Sequence, residues 1–303
     1  MKSHRAIRVF LTEMCNANCS NCFNRVARGG KEIDLDTFTR LCEYLEASGF
    51  NSLKVMGGEP TTHSVFPQMI DVAQKYFSNV AIFTNALNDE ILQINPRRKD
   101  TIVYNMNFEP FLTEAKLILD KPGRRTLKFQ VNENTDVNSL ESKIIKWTSY
   151  DTERIKSSFT FDCTSDIFKH RELLIGKVAE LEKFLQDRNL PYGFDHRVPI
   201  CFFKDSPIHI TYPSGRCRVE TAGLIDANLN LRYCNQHNDI VTSLLNSDGS
   251  FIPWDIVKNY LLAYSYKLQL AIFETGCKDC RYFGDHCNGG CWGSKVTKDA
   301  YVM

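Results

Sequence analysis

Two periods of apolar residues alternate along roughly the first 190 positions. AIRVFLT (6–12) is a short apolar, β-branched run that predicts a strand. LDTFTRLCEYLEA (35–47) then changes to helical spacing, with Leu35, Phe38, Leu41, Cys42 and Leu45 on one face and Asp34 as N-cap. SLKVMG (52–57) predicts a second strand, and VFPQMIDVAQKYF (65–77) repeats the helical pattern at Phe66, Met69, Ile70, Ala73 and Phe77. Further strands are predicted at 79–85, 101–108, 126–132 and 156–163, and further helices at 137–150 and 167–189. Strands alternating with helices imply a parallel sheet with right-handed crossovers. Six such units predict an α/β fold, a partial (β/α)6 barrel of TIM type.

The pattern changes near residue 190. NLPYGFDHRVPICFFKDSP (189–207) is rich in turn residues, and the remainder of the chain mixes cysteines, glycines and short strand-like pieces such as LNLRYC (229–234). One helical stretch at 254–274 interrupts them. The expected organisation is a barrel domain over 1–191 and a small, cysteine-rich C-terminal domain over 192–303.

Charge adds an exclusion. Lys plus Arg is 37 against 36 for Asp plus Glu, so there is no bulk electrostatic attraction toward nucleic acid or anionic lipid. No apolar run approaches the roughly 20 residues that span a bilayer. The first residues lack a signal core, and the expected location is cytoplasmic. Against that background the 12 cysteines stand out. In a reducing compartment, clustered cysteines bind metal more readily than they pair.

Cys15, Cys19 and Cys22 lie within MCNANCSNCF, directly after the first predicted strand. Thiolates select soft centres, and three of them leave a vacancy that a closed structural zinc site would not. C-x3-C-x2-C followed by Phe23 resembles the signature of the radical S-adenosylmethionine (SAM) enzymes. The resemblance implies a [4Fe–4S] cluster on the three cysteines. It also implies SAM on the fourth iron, cleaved to a 5′-deoxyadenosyl radical that abstracts a substrate hydrogen. The other reading is a zinc loop with a distant fourth ligand.

The second predicted strand ends in Gly57-Gly58-Glu59-Pro60. Two glycines allow close approach of the backbone, and Glu59 is a candidate acceptor for an ammonium group. This stretch resembles the family motif that holds the SAM amino group. Thr84-Asn85-Ala86 resembles a Thr-Asn-Gly found in the family, with Ala86 departing from it. Asn105, Asn107, Gln130 and Asn132, at later strand ends, are candidates for the SAM ribose or carboxylate. Cys42 and Cys163 lie in apolar patterns and read as core.

Cys277-x2-Cys280-x6-Cys287-x3-Cys291, with Cys217 and Cys234 upstream, resembles the SPASM module and its shorter "twitch" form. That resemblance implies one or two auxiliary [4Fe–4S] clusters. Cys217, Cys234 and Cys291 would serve one, with Cys201 able to complete it, and Cys277, Cys280 and Cys287 a second. The spacing between Cys280 and Cys287 is six rather than the family's five, and Leu229 stands where a glycine is expected before Cys234. A zinc ribbon is the alternative reading.

SPASM-bearing relatives commonly modify peptides made on the ribosome by cross-linking or excising residues. The expected function is therefore peptide modification by an oxidoreductase of this kind. A radical SAM dehydrogenase on a small natural-product intermediate is the alternative, and a non-catalytic zinc-binding protein a distant one. The first strand begins at residue 6, so a peptide maturase of this form is expected to recognise its precursor peptide through a separate leader-recognition protein or by direct docking. A flavodoxin or ferredoxin would supply electrons. Asp162, Asp195 and His196 are the candidate acid–base groups.

Overall fold

The computed structural model describes residues 5–19, 22, 30–106, 121–149, 154–161, 169–194, 200–203, 223–234, 239–272 and 277–280. Phe23, Asn107, Asp162, Cys163, Asp195, His196, Cys217, Cys287 and Cys291 lie outside them. The chain divides into two compact units, one of residues 1–124 and 218–266, the other of 125–217 and 267–303.

In the first unit, β1 (Ala6–Phe10), β2 (Ser52–Met56), β3 (Asn79–Thr84) and β4 (Thr101–Asn105) run parallel in that order. Helix α1 (Leu35–Ala47) connects β1 to β2, and α2 (Phe66–Tyr76) connects β2 to β3. The expected N-cap is realised, since Asp34 Oδ1 accepts from Thr37 N at 2.8 Å. That bond, with a second from the Thr37 hydroxyl, holds the Asp34 carboxyl below its usual range. Phe38, Leu41, Cys42 and Leu45 of α1 are buried. Burial pushes the Cys42 thiol up and leaves it an inert core residue.

Alternation across the pleat sorts the strands into two faces. Ile7, Val9, Leu53, Val55, Val80 and Ile82 fall on one face. Phe10 and Met56 fall on the other and form a cluster with Phe83 and Leu224. On the far side of β1 lies β8 (Leu224–Ile225), also parallel, followed by the antiparallel β9 (Asn230–Arg232) and β10 (Ile240–Ser243). Strands from beyond residue 192 thus extend the sheet of the first unit. The β8–β9 turn closes around fully buried Asp226, which accepts from Asn228 N, Asn230 N and Arg232 Nε at 2.9–3.0 Å. Leu229 in this turn has φ +59°.

The second unit holds β5 (Arg124–Val131), β6 (Ile155–Phe161) and β7 (Tyr192–Phe194), again parallel. Its helices are α3 (Val137–Thr148), α4 (Arg171–Asp187) and the short α5 (Ile200–Phe203). Helix α6 (Trp254–Ile272) follows β10. These are the parallel strands and crossover helices expected of a partial (β/α)6 barrel. Among the described residues no helix is long and apolar enough to cross a membrane.

Candidate active site

The three-cysteine loop leaves the sheet at the carboxyl end of β1, and its neck is closed by backbone bonds. Thr12 bridges Glu32, Glu13 N donates to Lys31 O at 2.8 Å, and Ile33 N to Leu11 O at 2.9 Å. Cys15, Cys19 and Cys22 are of intermediate exposure and not disulfide-bonded, and Cys22 N donates to Cys19 O at 3.3 Å. Among the described residues no three His, Cys, Asp or Glu side chains gather closely enough to hold a metal ion.

The GGEP corner is fastened to this loop. Gly58 N donates to Thr12 O and Glu59 N to Met14 O, both at 2.8 Å. A Cβ on Gly57 (φ +152°) would stand 2.4 Å from Thr12 O, and one on Gly58 would stand 2.0 Å from Met14 O. Both glycines are therefore required because the backbone of β2 approaches the backbone of the cysteine loop. The close approach expected of these residues is made to protein.

Glu59 is 2% exposed, and its carboxylate points into the scaffold. Oε1 accepts from Thr61 N (3.2 Å), Thr61 Oγ1 (2.8 Å) and Thr84 Oγ1 (2.7 Å), and Oε2 from Asn85 N (2.7 Å). Burial drives its pKa up, and bonds from Asn85, Thr84 and Thr61 oppose the rise. The carboxylate expected to meet an ammonium group accepts from four donors of the chain itself. Those donors are neutral and lie just after β2 and at the end of β3, so Glu59 joins the two strand ends.

Asn85 continues the chain of contacts. Its Nδ2 donates to Asn16 Oδ1 at 2.8 Å, between Cys15 and Cys19, and its Oδ1 accepts from Leu87 N at 3.0 Å. Asn16 was not foreseen as a site residue. Nothing in a single sequence marks it, since its partner lies 69 positions away. Ala86 adopts φ +55°, a left-handed conformation that explains why glycine suits this position.

Asn105 ends β4, one residue beyond Tyr104, the Cα partner of Thr84. It is half-buried, as are Gln130 and Asn132 in the second unit. Asn132 caps a turn, its Oδ1 accepting from Asn134 N at 2.9 Å. Cys234 follows β9, while Cys277 and Cys280 share one turn (Cys280 N to Cys277 O, 3.1 Å). Cys201 lies in α5.

Parallel strands with a three-thiol loop after the first, and GGEP locking that loop from the second, are the arrangement expected from the resemblance to radical SAM enzymes. Residues 5–137 match the family model described as a 4Fe-4S single cluster domain. The sporulation killing factor maturation protein SkfB of Bacillus subtilis is 33% identical over 82 residues, 26% of this chain and 19% of that protein. Streptococcus suis SuiB bound to its precursor peptide SuiA superposes with a TM-score of 0.58 at 15% identity. That match covers 77% of this chain and 60% of SuiB. Native anSMEcpe with bound AdoMet and Kp18Cys peptide gives 0.61 at 14% identity, over 94% of this chain and 89% of the other.

Proposed function

We propose that the protein is a radical SAM enzyme that modifies a peptide made on the ribosome. The observation that carries this reading is the backbone lock between Gly57-Gly58-Glu59 and the start of the cysteine loop, at the carboxyl end of parallel strands. Ligand sites of open α/β sheets form at that end. The peptide class rests on SkfB, a maturation protein, and on the peptide-bound SuiB and anSMEcpe.

Cys15, Cys19 and Cys22 would hold a [4Fe–4S] cluster with one iron left for SAM. When bound, that cluster supplies the electron that cleaves SAM and begins hydrogen abstraction from the substrate. The Gly57-to-Pro60 corner would meet the amino end of SAM through its backbone, because the Glu59 side chain is already committed. Thr84 and Asn85 act through the scaffold, with Asn85 steadying the loop at Asn16. Asn105, Asn107, Gln130, Asn132 and Phe23 complete the proposed cofactor surroundings.

Residues 192–303 are the proposed auxiliary module, with Cys201, Cys217, Cys234 and Cys291 on one [4Fe–4S] cluster and Cys277, Cys280 and Cys287 on a second. Asp162, Asp195 or His196 would take the substrate proton. A separate leader-recognition protein, a flavodoxin or ferredoxin reductant and a cytoplasmic location complete the reading.

The test is anaerobic reconstitution. The protein should bind about four irons per cluster and release 5′-deoxyadenosine with dithionite. Cys19→Ala should abolish that release, while Cys280→Ala should retain it and stop formation of modified peptide. Well-reconstituted protein that leaves SAM untouched would sink the proposal.

A further inference from the structure

The residues from Glu59 to His63 make one tight turn, and both of its ends reach the cysteine loop. The turn is closed by Thr62 N to Glu59 O and His63 N to Pro60 O, both at 3.1 Å. At one end Glu59 N holds the outgoing limb of the loop at Met14 O. At the other, His63 is 3% exposed and its ring meets the returning limb.

Two partners fix the tautomer of that ring. Val65 N can only donate and lies 3.3 Å from Nδ1, so Nδ1 accepts and Nε2 carries the proton. Nε2 then donates to Ile33 O at 2.9 Å. Ile33 is buried, its carbonyl needs a donor, and its N donates in turn to Leu11 O. The His63 bond thus closes a ring of contacts from β1, through the returning limb, to the turn after β2. Among the described residues, His63 is the one side chain outside the loop and its neck that hydrogen-bonds residues 31–33. Thiolates are the donors that iron–sulfur clusters take, and a loop offering three of them binds best when both limbs are already held.

We propose that His63 is a positioning residue for the iron–sulfur site. Acting through the Ile33 carbonyl rather than as a ligand, it sets the returning limb so that Cys15, Cys19 and Cys22 are presented together. The proposal rests on the reading of the cysteine loop as the site of a SAM-binding cluster.

The test follows the reduced, reconstituted full chain by electron paramagnetic resonance, using the part of the cluster signal that SAM shifts. His63→Gln keeps a donor near the place of Nε2, His63→Asn has one too short to reach Ile33 O, and His63→Met has none. With EDTA present, the signal should decay about tenfold faster than wild type in the Met and Asn variants, the effect of one lost bond to a buried carbonyl, and within about twofold of wild type in His63→Gln. If His63→Met does not fold, Gln against Asn still decides. Equal decay in wild type and folded variants would overturn the proposal, even if urea midpoints fell, because His63 would then serve the fold alone. So would a Gln variant as labile as Asn. A wild type with no SAM-shifted signal would overturn the cluster reading and this proposal with it, whereas failure in the variants alone leaves that reading standing.

Discussion

The two ends of the first unit's strands are each organised around one buried carboxylate, and the carboxylates are answered differently. At the carboxyl end, Glu59 receives four neutral donors, and burial raises its pKa. At the amino end, Asp100 is 1% exposed and accepts from Arg97 Nη2 at 2.9 Å, Val80 N at 2.9 Å and Gln74 Nε2 at 2.9 Å. Burial there also pushes the pKa up, but the Arg97 bonds and charge outweigh it and hold the carboxyl below its ordinary value. Arg97 additionally donates to Gln74 O and Phe77 O, tying the last turn of α2 to the start of β4. The amino end thus uses charge to fix the fold. At the carboxyl end the four donors to Glu59 are neutral dipoles.

Breaking Asp100 should have the largest effect on stability. Asp100→Ala leaves the Arg97 guanidinium and Val80 N without their acceptor and should cost about 3 kcal/mol in urea unfolding. Iron bound per folded molecule should not change. Glu59→Gln keeps the shape but turns an NH2 toward at least one of the four donors, for a loss of about 2 kcal/mol. Here iron loading should fall as well, because the loop held through Asn85 and Asn16 loses its anchor. Equal iron loading in both variants would dissolve the contrast between the two ends.

pH sharpens the same comparison. The folded-state pKa of Glu59 lies above its ordinary 4.5, so its contribution is full below that value and is lost as pH rises through the folded pKa. Asp100 lies below its ordinary 3.8, so its contribution holds above that value and is lost as pH falls through the folded pKa. Glu59→Gln should therefore flatten the stability profile on the side above pH 4.5, and Asp100→Asn on the acid side below pH 3.8. Urea midpoints measured against pH separate the two.

The smallest effects lie at the two left-handed residues. Ala86→Gly should stabilise by about 0.5 kcal/mol, since relief of the positive φ slightly exceeds the added freedom of the unfolded chain. Leu229 is 6% exposed, and Leu229→Gly should instead destabilise by about 1 kcal/mol, because lost burial outweighs the relief. Thermal midpoints moving in opposite directions would bear this out.

Much of this architecture is legible in the apolar periods. The first six strands and the helices at 35–47, 65–77, 137–150, 167–189 and 254–274 appear within a few residues of their expected bounds. Strand β8 was not foreseen, because a two-residue pair shows no period and owes its place to pairing with Arg8 and Val9. The direction of the Glu59 side chain was likewise hidden. Its partners Thr84 and Asn85 lie 25 and 26 positions away, and a carboxylate beside two glycines looks the same whether it faces ligand or scaffold. Two adjacent glycines signal a close approach, but what they approach is set by the tertiary pairing with Thr12 and Met14.

Ala86 and Leu229 stand at the two places where the patterns this chain resembles carry glycine, and both have a left-handed backbone. What is inherited at such places is the handedness of a turn, and glycine is merely the residue that adopts it with least strain. A lineage can therefore exchange the letter and keep the shape when a neighbouring contact compensates. Relatives of this protein that lack both glycines should be recognisable by the sign of two torsion angles where their sequences have drifted out of reach.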